Sequence, residues 1–408
     1  MNVQKGIYPL LGKVQNYAWG GNRFIPDLVG FEPQSGLKYA EYWLGAHEKA
    51  PSELLLDDRT KAPLNELISS QPERTLGKEV SRRYDRLPFL FKILDVKDML
   101  SIQVHPNKAE AEVGFAKENE LGIPLDSPVR NYKDNNHKPE IMVALSDFWL
   151  LHGFLQKRAI LNVLDQVPEF RSLRVFFEED GYLGLYKHIM EMPVDAVDAV
   201  LAPLVKRVYQ RYKHEELNKL SADYWAARVV DGSDLEHYDR GIFSIYFFNI
   251  VNLKKGQAIF QDAGIPHAYL EGQNVELMAN SDNVLRGGLT KKHVDVAELL
   301  RLTRFEGVSP HIIKGKTKKN PFELFYEAPT RDFLLSRIQL RKGTRYENTS
   351  HSVEIMIVFR GNIRIGNREN FHLKKGEAVI IFAGEKYQIE VVSDDALLYK
   401  ASIPPHDA

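Results

Sequence analysis

LKKGQAIFQDAGIPHAY (253–269) recurs in this chain as LKKGEAVIIFAGEKYQI (373–389), and this repeat indicates the fold. The two copies align without a gap at a constant offset of 120 positions, and seven residues coincide. Each copy is typical of a strand, a glycine turn, a second strand and a second glycine turn. A supersecondary unit that occurs twice predicts two related β-barrels of the jelly-roll type.

The two copies differ at one position with chemical consequences. His267 in the first copy falls opposite Tyr387 in the second, so only the first copy offers an imidazole there. The segment HSVE (351–354), with His351 and Glu354, is similar to a degenerate metal motif. Because Tyr387 supplies no imidazole, we expect the second barrel to be metal-free and structural.

Outside the repeat, the first 150 residues indicate short strands and loops. PFLFKILDV (88–96) predicts a strand, LNELISS (64–70) predicts a helix, and the polar segment SPVRNYKDNNHKPE (127–140) predicts a loop. Strand character returns at FSIYFFNIVNLKKGQAIF (243–260) and continues to the C-terminus.

The region from about 155 to 230 has a helical pattern instead. Apolar residues recur there at three- and four-residue intervals: Val194, Val197, Leu201, Leu204, Val205 and Val208. Pro193 suits the first turn of this helix, whereas Pro203 predicts a kink or a break. HEELNKLSADYWAARVV (214–230) continues the helical pattern, so we interpret the region as an all-α insertion.

Three short segments of the β regions carry potential metal ligands. In SIQVHPN (101–107), strand alternation places Ser101, Gln103 and His105 on one face, with residues i and i+2 about 6–7 Å apart. Pro106 then ends the strand. A carboxylate from Glu140 and an imidazole from His267 would complete a four-ligand site for zinc, or for manganese or iron.

Composition restricts the classes of function. The 408 residues suffice for two to three domains, with 44% hydrophobic and 27% charged residues. A net charge of −1 gives no attraction to nucleic acid or to an anionic membrane, so an anionic substrate requires a local cluster of cations. The absence of cysteine excludes disulfides and thiolate ligands. With no secretory signal or transmembrane run apparent, we expect a cytoplasmic protein.

Several motifs in order resemble those of the type I phosphomannose isomerases, zinc enzymes of the cupin superfamily. They are NYAWGG (16–21), EYWLGAHEKAPS (41–52), QVHPN (103–107), HKPE (137–140), AGIPHAYLEG (263–272) and SDNVLRGGLTKKHVDV (281–296). The resemblance implies a mainly β fold with an all-α insertion: two cupin-type jelly-roll β-barrels plus a helical domain. The expected domains are a catalytic cupin domain (1–150 and 240–305), the insertion (151–239) and a metal-free cupin-like β domain (306–408).

The same resemblance implies the roles of the main site residues. Gln103, His105, Glu140 and His267 would bind one Zn²⁺ per chain, with Mn²⁺ or Co²⁺ as possible substitutes, and Arg286 would be catalytic. With two neutral imidazoles, an amide and one carboxylate, the site would keep a charge of about +1 and hence its Lewis acidity. Arg286 stays protonated and can stabilise a developing enediolate without acting as a base.

A second group of residues is expected to line the substrate pocket: Ser101, Lys138, Lys292, Glu276, Asp282 and Trp19. Lys138 and Lys292 would supply the cations that a phosphate requires. Glu276 or Asp282 could transfer a proton, but each could equally orient Arg286 or close a strand turn. His47 is expected to be structural, and His137, His152 and His293 are expected only to lie near the site.

The implied activity is a metal-dependent aldose–ketose isomerase that interconverts mannose 6-phosphate and fructose 6-phosphate through a cis-enediol(ate). The general base stays open among Lys138, Glu276, Asp282 and a metal-bound water or hydroxide. The alternatives are a non-catalytic cupin that binds or senses sugar phosphates, and a cupin metal oxygenase. No G-x-G-x-x-G joins a strand to a helix, so nicotinamide chemistry is not indicated. We expect a monomer that binds a small sugar phosphate, with no nucleic-acid or membrane partner.

Overall fold

The computed structural model describes residues 6–56, 60–233, 236–318, 320–367 and 370–405. These residues form a mainly β structure with several helices, as the sequence predicts. No helix among them is both long enough and apolar enough to cross a membrane.

The strands within the described ranges are β1 (Ile7–Leu11), β2 (Lys13–Gln15), β3 (Glu41–Gly45), β4 (Glu53–Leu55), β5 (Lys61–Pro63), β6 (Phe89–Val96), β7 (Gln103–Val104), β8 (Glu140–Ala144), β9 (Phe148–Phe154), β10 (Phe248–Leu253), β11 (Ala258–Gln261), β12 (His267–Ala279), β13 (Leu285–Arg286), β14 (Lys316–Thr317), β15 (Glu323–Tyr326), β16 (Leu334–Arg341), β17 (Arg345–Thr349), β18 (Glu354–Arg360), β19 (Asn362–Gly366), β20 (Asn370–Lys374), β21 (Ala378–Ile381), β22 (Lys386–Val391) and β23 (Asp395–Ser402).

The α-helices in the same ranges are α1 (Phe24–Val29), α2 (Leu64–Ser70), α3 (Pro72–Leu76), α4 (Lys78–Tyr84), α5 (Lys108–Glu120), α6 (Lys157–Gln166), α7 (Arg174–Glu191), α8 (Val194–Lys213), α9 (Ala222–Val230), α10 (Gly241–Phe247) and α11 (Val296–Leu302), with a 3₁₀ helix at Pro168–Leu173.

The described strands form three antiparallel sheets. One has the order β14-β15-β16-β23-β18-β21-β1-β4-β5, and a small one has the order β17-β22-β19-β20. The third has the path β10-β9-β12-β6-β3-β2, to which β7, β8, β11 and β13 are attached. β1 pairs with β21, with Ile7 opposite Ile381, so N-terminal strands share a sheet with C-terminal ones. The grouping of these strands into two barrels stays a prediction.

The structure confirms the internal repeat. β11 and β21 each have four residues and lie 120 positions apart. The two glycine turns also recur, with φ of 85° at Gly256 and 84° at Gly376, and of 77° at Gly264 and 82° at Gly384. Left-handed backbone of this kind favours glycine, which explains why these glycines coincide in the two copies.

Helices α6 to α10 lie between β9 and β10, in the region of the predicted helical insertion. α8 begins after Pro193 and continues through Pro203, so the break considered at Pro203 does not occur. Val194 is 41% exposed, whereas the other five residues of the predicted apolar stripe are buried. Helix does not extend through 214–230, because α8 ends at Lys213 and α9 begins after Ser221, whose side chain caps it.

The strand predicted over 243–260 is wrong at its beginning. Residues 243–247 belong to α10, all seven residues of which are buried, and strand begins only at Phe248. The segment packs inside the helical insertion beside residues such as Phe170 and Trp225. A short apolar run has the same pattern in a buried helix and in a buried strand, so periodicity could not distinguish them.

Candidate metal centre

Three buried side chains from distant parts of the chain meet at one point. His105 follows β7 directly, Glu140 is the first residue of β8, and His267 is the first residue of β12. Each offers one ligand atom, and these atoms lie within 4.8 Å of one another. Among the described residues, this is the single group of three or more His, Asp or Glu side chains arranged in this way.

The two imidazoles are oriented by backbone carbonyl groups. His105 Nδ1 lies 2.9 Å from the carbonyl oxygen of Asn283, and His267 Nδ1 lies 3.0 Å from that of Ile265. Because a carbonyl can only accept, Nδ1 of each ring carries a proton, and in the neutral form of either ring Nε2 has the lone pair. Burial lowers the pKa of His105 to about 4, so this ring is neutral near pH 7.

Glu140 faces both of these lone pairs. Its Oε1 lies 3.4 Å from His105 Nε2, and its Oε2 lies 3.5 Å from His267 Nε2. Burial alone would raise the pKa of Glu140, but the ammonium of Lys138, 3.0 Å from Oε1, helps to hold it well below the ordinary value. Glu140 is therefore a carboxylate.

The donor set fits a divalent cation. Two lone pairs and a carboxylate face each other, and buried His105 Nε2 has no hydrogen-bond partner among the described residues. Leaving such an atom unsatisfied costs about 1–3 kcal/mol, which a bound cation would remove. Two neutral imidazoles and one carboxylate are the protein ligands of many catalytic zinc sites. The residues present therefore fit the predicted zinc ion.

Gln103 lies on the same face of the sheet as His267. It is directly opposite His267 in the β7–β12 pair and directly opposite Arg286 in the β7–β13 pair. Directly opposed residues in antiparallel strands point to the same side. The half-buried Gln103 and Arg286 side chains therefore flank the cluster of His105, Glu140 and His267.

Arg286 is available for an anion. Within the described ranges, no carboxylate lies within ion-pair distance of its guanidinium, and burial lowers its pKa. The pKa of Lys292 is lowered, first by the partial burial of its ammonium and then by the nearby positive charge of Arg286. Two neighbouring cations that form no ion pair with the described carboxylates are suited to a phosphate or an enediolate.

The two proton-transfer candidates have different surroundings. The Tyr269 hydroxyl donates to Glu276 Oε1 at 2.9 Å, and burial together with the charge of Glu140 raises the pKa of Glu276. Asp282 lies 2.5 Å from Lys49 Nζ and 3.3 Å from His47 Nε2. Burial alone would raise its pKa, but these two partners lower it.

The other predicted residues occupy several positions. Ser101 is half-buried and precedes β7. The half-buried Trp19 stacks on Tyr17 at 5.8 Å between ring centroids. His152 lies directly opposite His267 in the β9–β12 pair, and its Nδ1 is 2.7 Å from Gln261 Oε1. His137 Nε2 lies 2.9 Å from Asp332 Oδ2, and His293 is exposed.

Lys92, a buried residue of β6, belongs to none of the predicted site residues. Its ammonium lies 3.7 Å from Glu41 and 3.3 Å from Glu276, and 5.2 Å from the centre of the Trp43 ring. Burial alone would lower its pKa, but these two carboxylates raise it, so Lys92 stays charged. The signal was a lysine inside the largely apolar run of PFLFKILDV.

The second half of the chain holds an equivalent cluster with different chemistry. Asn348 lies opposite Tyr387, as Gln103 lies opposite His267. The carbonyl of Ser350 accepts from Gly384, as that of His105 accepts from Gly264. Glu354 lies opposite Ile381, as Glu140 lies opposite Gln261. Ile381 and Gln261 are 120 positions apart, which is the offset of the repeat. The equivalents of the four predicted ligands are therefore Asn348, Ser350, Glu354 and Tyr387.

His351 is not part of this cluster, which corrects the interpretation of HSVE. Its Nε2 lies 2.6 Å from the carbonyl oxygen of Ile403 and donates to it. The chain itself supplies a cation instead, because Lys400 Nζ lies 2.7 Å from Glu323 and 3.7 Å from Glu354. The Tyr387 hydroxyl donates to Glu354 at 2.6 Å.

The fold and the site define a mainly β protein with a two-histidine, one-glutamate metal centre. Residues 7–157 match the family described as "Phosphomannose isomerase type I, catalytic domain". Mannose-6-phosphate isomerase of Shigella flexneri is 36% identical over 382 residues, which cover 92% of this chain and 95% of the relative. The human mannose-6-phosphate isomerase is 30% identical over 428 residues, covering 97% and 98%. The chain belongs to the type I phosphomannose isomerase family.

Solved structures agree with this assignment. A variant of phosphomannose isomerase from Salmonella typhimurium superposes with a TM-score of 0.88 at 32% identity, covering 98% of this chain and all of the other. A zinc-bound mannose 6-phosphate isomerase superposes with a TM-score of 0.87 at 31% identity, covering 98% of this chain and all of the other.

Proposed function

We propose that this protein is a zinc-dependent isomerase that interconverts mannose 6-phosphate and fructose 6-phosphate through a cis-enediol(ate). Among the described residues, the observation that carries the proposal is the buried cluster of His105, Glu140 and His267, in which His105 Nε2 has no hydrogen-bond partner, beside Arg286, which has no carboxylate partner. The family supplies the substrate, since the relatives are named mannose-6-phosphate isomerases.

In this proposal His105, Glu140, His267 and Gln103 hold one Zn²⁺. Gln103 is included because its strand position places it on the face of His267. Bound there, zinc would act as a Lewis acid toward a sugar oxygen. The carbonyl groups of Asn283 and Ile265 fix the two imidazole rings beforehand, which reduces the reorganisation that binding requires.

Arg286 stabilises the negative charge that develops when a proton leaves C1 or C2. Arg286 lies on β13, directly opposite Gln103 of β7. Its guanidinium carries a permanent positive charge, so it can act without a change of protonation. Lys292 and Ser101 would contact the substrate phosphate, with Lys292 supplying charge near Arg286. Lys138 pairs with Glu140, so its ammonium lies at the metal end of the pocket.

Among the candidate bases, Glu276 fits best. Asp282 is paired with Lys49 and His47, which lowers its pKa and weakens it as a base. Lys138 is paired with Glu140, at 3.0 Å. Glu276 is also paired, with Lys92 at 3.3 Å, and the charge of Lys92 lowers its pKa. Burial and the charge of Glu140 outweigh this effect and raise the pKa of Glu276, which strengthens this carboxylate as a base, while Tyr269 holds its orientation.

The wider architecture is part of the same proposal. We assign residues 1–150 and 240–305 to a catalytic cupin barrel, 151–239 to the helical insertion and 306–408 to a metal-free cupin-like domain. The register equivalence between Gln103–His267 and Asn348–Tyr387 supports two related halves. A cytoplasmic monomer without nucleic-acid or membrane partners stays a prediction.

A coupled assay of fructose 6-phosphate formation from mannose 6-phosphate, with and without EDTA, tests the proposal. We expect turnover that chelation abolishes and zinc restores. Binding of the sugar phosphate without turnover would favour a sensing protein, and consumption of oxygen during turnover would favour an oxygenase. Either result would contradict the isomerase proposal.

A further inference from the structure

The turn that follows Arg286, residues 287–290, is held from two sides. On one side it continues the β7–β13 pairing, because Gly287 N donates to the Ile102 carbonyl at 2.9 Å and Ile102 N donates to the Gly288 carbonyl at 3.0 Å. On the other side lies Asp239, next to α10 of the helical insertion. The backbone at this turn is unusual, since Leu289 has a φ of 54°. Left-handed backbone is unfavourable for a leucine, so its surroundings must maintain it.

Asp239 supplies these surroundings with a single carboxylate. Its Oδ1 accepts from Leu289 N at 2.6 Å and from Gly241 N at 2.6 Å, and its Oδ2 accepts from Thr290 N at 3.0 Å. Hydrogen bonds to a carboxylate are stronger than those to a neutral acceptor, so they offset the strain at Leu289. The carboxylate therefore fixes the turn and the first residues of α10 together.

The close approach of the two segments depends on glycine. A Cβ on Gly288 would lie 2.6 Å from the backbone of Gly241, and a Cβ on Gly241 would lie 2.5 Å from Leu289 N. Behind the turn, a Cβ on Gly287 would lie 2.8 Å from the hydroxyl of Tyr186, a residue of α7. The helical insertion thus forms a close-fitting support for this turn.

Asp239 is itself held by the rest of the insertion. Asp198 of α8 accepts from the backbone N–H of Tyr238 at 2.8 Å, and its second oxygen lies 2.7 Å from His237 Nδ1. Arg240 donates to the carbonyl of Met192, between α7 and α8. The position of the carboxylate is therefore set by the helices and not by the sheet.

We propose that Asp239 is a positioning residue for the isomerase reaction, and that the helical insertion holds the 287–290 turn so that Arg286 and Lys292 keep their positions beside the metal centre. This inference rests on the proposed function, in which Arg286 stabilises the developing charge and Lys292 contacts the phosphate. A small displacement of such groups can reduce catalysis by about 100-fold.

The test compares the variants D239A, D239N, R286A and D239A/R286A, with E169A as a matched control. Glu169 accepts from Arg207 at 3.1 and 2.9 Å elsewhere in the insertion, so its removal also breaks carboxylate hydrogen bonds but leaves the turn untouched. We expect kcat/KM of D239A to fall about 10- to 100-fold at unchanged metal content. D239N keeps one acceptor oxygen and should lose less, and E169A should stay within about twofold of wild type.

The double variant distinguishes positioning from a general loss of stability. If Asp239 acts mainly through Arg286, D239A should reduce kcat/KM less in the R286A background than in wild type, because Lys292 is then the one positioned group left to displace. Hydrogen exchange at Leu289 and Thr290 should be faster in D239A and D239N, and unchanged in E169A.

Three results would overturn the inference: wild-type kcat/KM in D239A, effects of D239A and R286A that multiply, or unchanged exchange at the turn. If D239A does not fold, kcat/KM of D239N and its hydrogen exchange at Leu289 and Thr290 test the inference by the same criteria. Failure of the proposed function is a separate outcome, seen as absent isomerisation by the wild type or full activity of R286A.

Discussion

Gln103 lies directly opposite Arg286 in the β7–β13 pair, so a predicted metal ligand and the predicted catalytic guanidinium leave the same face of one sheet. β12 also pairs with β7, and there His267 lies directly opposite Gln103, on the same face of the sheet. Backbone hydrogen bonds of the sheet therefore help to set the spacing between the metal centre and Arg286, together with the contacts of Asp239 that hold the following turn. Such preorganisation is what electrostatic stabilisation of a transition state requires.

Replacing Arg286 with alanine should reduce kcat strongly and leave bound zinc unchanged. We expect a loss of about 10²–10³, because a preorganised donor to the developing charge is removed. The coupled assay and elemental analysis of the purified variant measure the two quantities. R286K is the matched control, which keeps the charge but not the planar guanidinium, and it should recover activity in part. Loss of zinc from R286A would mean that the residue is structural.

Replacing Glu276 with glutamine tests the assignment of the base. The substitution keeps the shape and an acceptor for Tyr269 but cannot take a proton, so kcat should fall about 10²–10⁴-fold. The matched control is D282N, which changes a carboxylate that Lys49 and His47 already pair with. A larger loss in D282N than in E276Q would transfer the role of the base to Asp282.

Replacing Lys400 with methionine should destabilise the second half of the chain. Lys400 lies opposite Met356, and Glu276 lies opposite Met142. Because Met356 and Met142 each come two residues after the equivalent glutamates Glu354 and Glu140, the Lys400 ammonium occupies the position that the Glu276 carboxylate has in the first half. Burial alone would lower its pKa, but Glu354, Tyr346 and Glu323 raise it. Without it two buried carboxylates lose their cation, which costs about 3–5 kcal/mol.

Urea unfolding measures the effect of K400M. K374M is the control, because Lys374 is 75% exposed and lies 3.9 Å from Glu377, a contact expected to contribute little. Adding E323Q and E354Q to K400M should restore part of the stability, because the unpaired charges are removed. Equal stability of K400M and wild type would contradict the ion network.

Asp332 should make stability depend on pH in the acidic range. Burial alone would raise its pKa, but the hydrogen bond and charge of His137 lower it below the ordinary value of 3.8. The unfolded chain then binds this proton more tightly than the folded one. The stability contributed by Asp332 is therefore present above pH 3.8 and is lost as the pH falls through the lower folded-state value.

D332N should accordingly be less stable than wild type by about 1.5–3 kcal/mol at pH 5 to 7, and the difference should shrink below pH 4. Urea unfolding across this range measures it. D147N, at an exposed aspartate 3.2 Å from Lys254, is the control and should show no such trend. A difference that stays constant down to pH 3 would show that the ionisation of Asp332 is not responsible.

The sequence predicted those features that local pattern determines. β6 and α2 lie within one residue of their predicted bounds, and the glycine turns of the repeat are where the alignment placed them. The cluster of His105, Glu140 and His267 was predictable because the motifs of a known family contain it. Their burial and convergence required the fold.

The remaining features depend on tertiary contacts. α10 has the same apolar pattern as a buried strand, and only its packing within the helical insertion decides between them. The HSVE segment suggested that His351 is equivalent to a metal ligand. Gly384 N donates to the Ser350 carbonyl, as Gly264 N donates to that of His105, so the equivalent of His105 is Ser350, one residue before His351. Lys92 and Asp239 carry no motif, because the partners that make them significant lie far away in the sequence.

Titration of metal-free protein with zinc, followed by the rate of fructose 6-phosphate formation, tests the metal centre most directly. We predict no turnover without metal, a linear rise in rate and a sharp end point at one zinc per chain. H267A should bind zinc weakly and stay inactive, whereas H351A should behave as wild type, since His351 donates to Ile403 and faces no ligand cluster. Full turnover by metal-free protein, or an unchanged end point in H267A, would contradict the account.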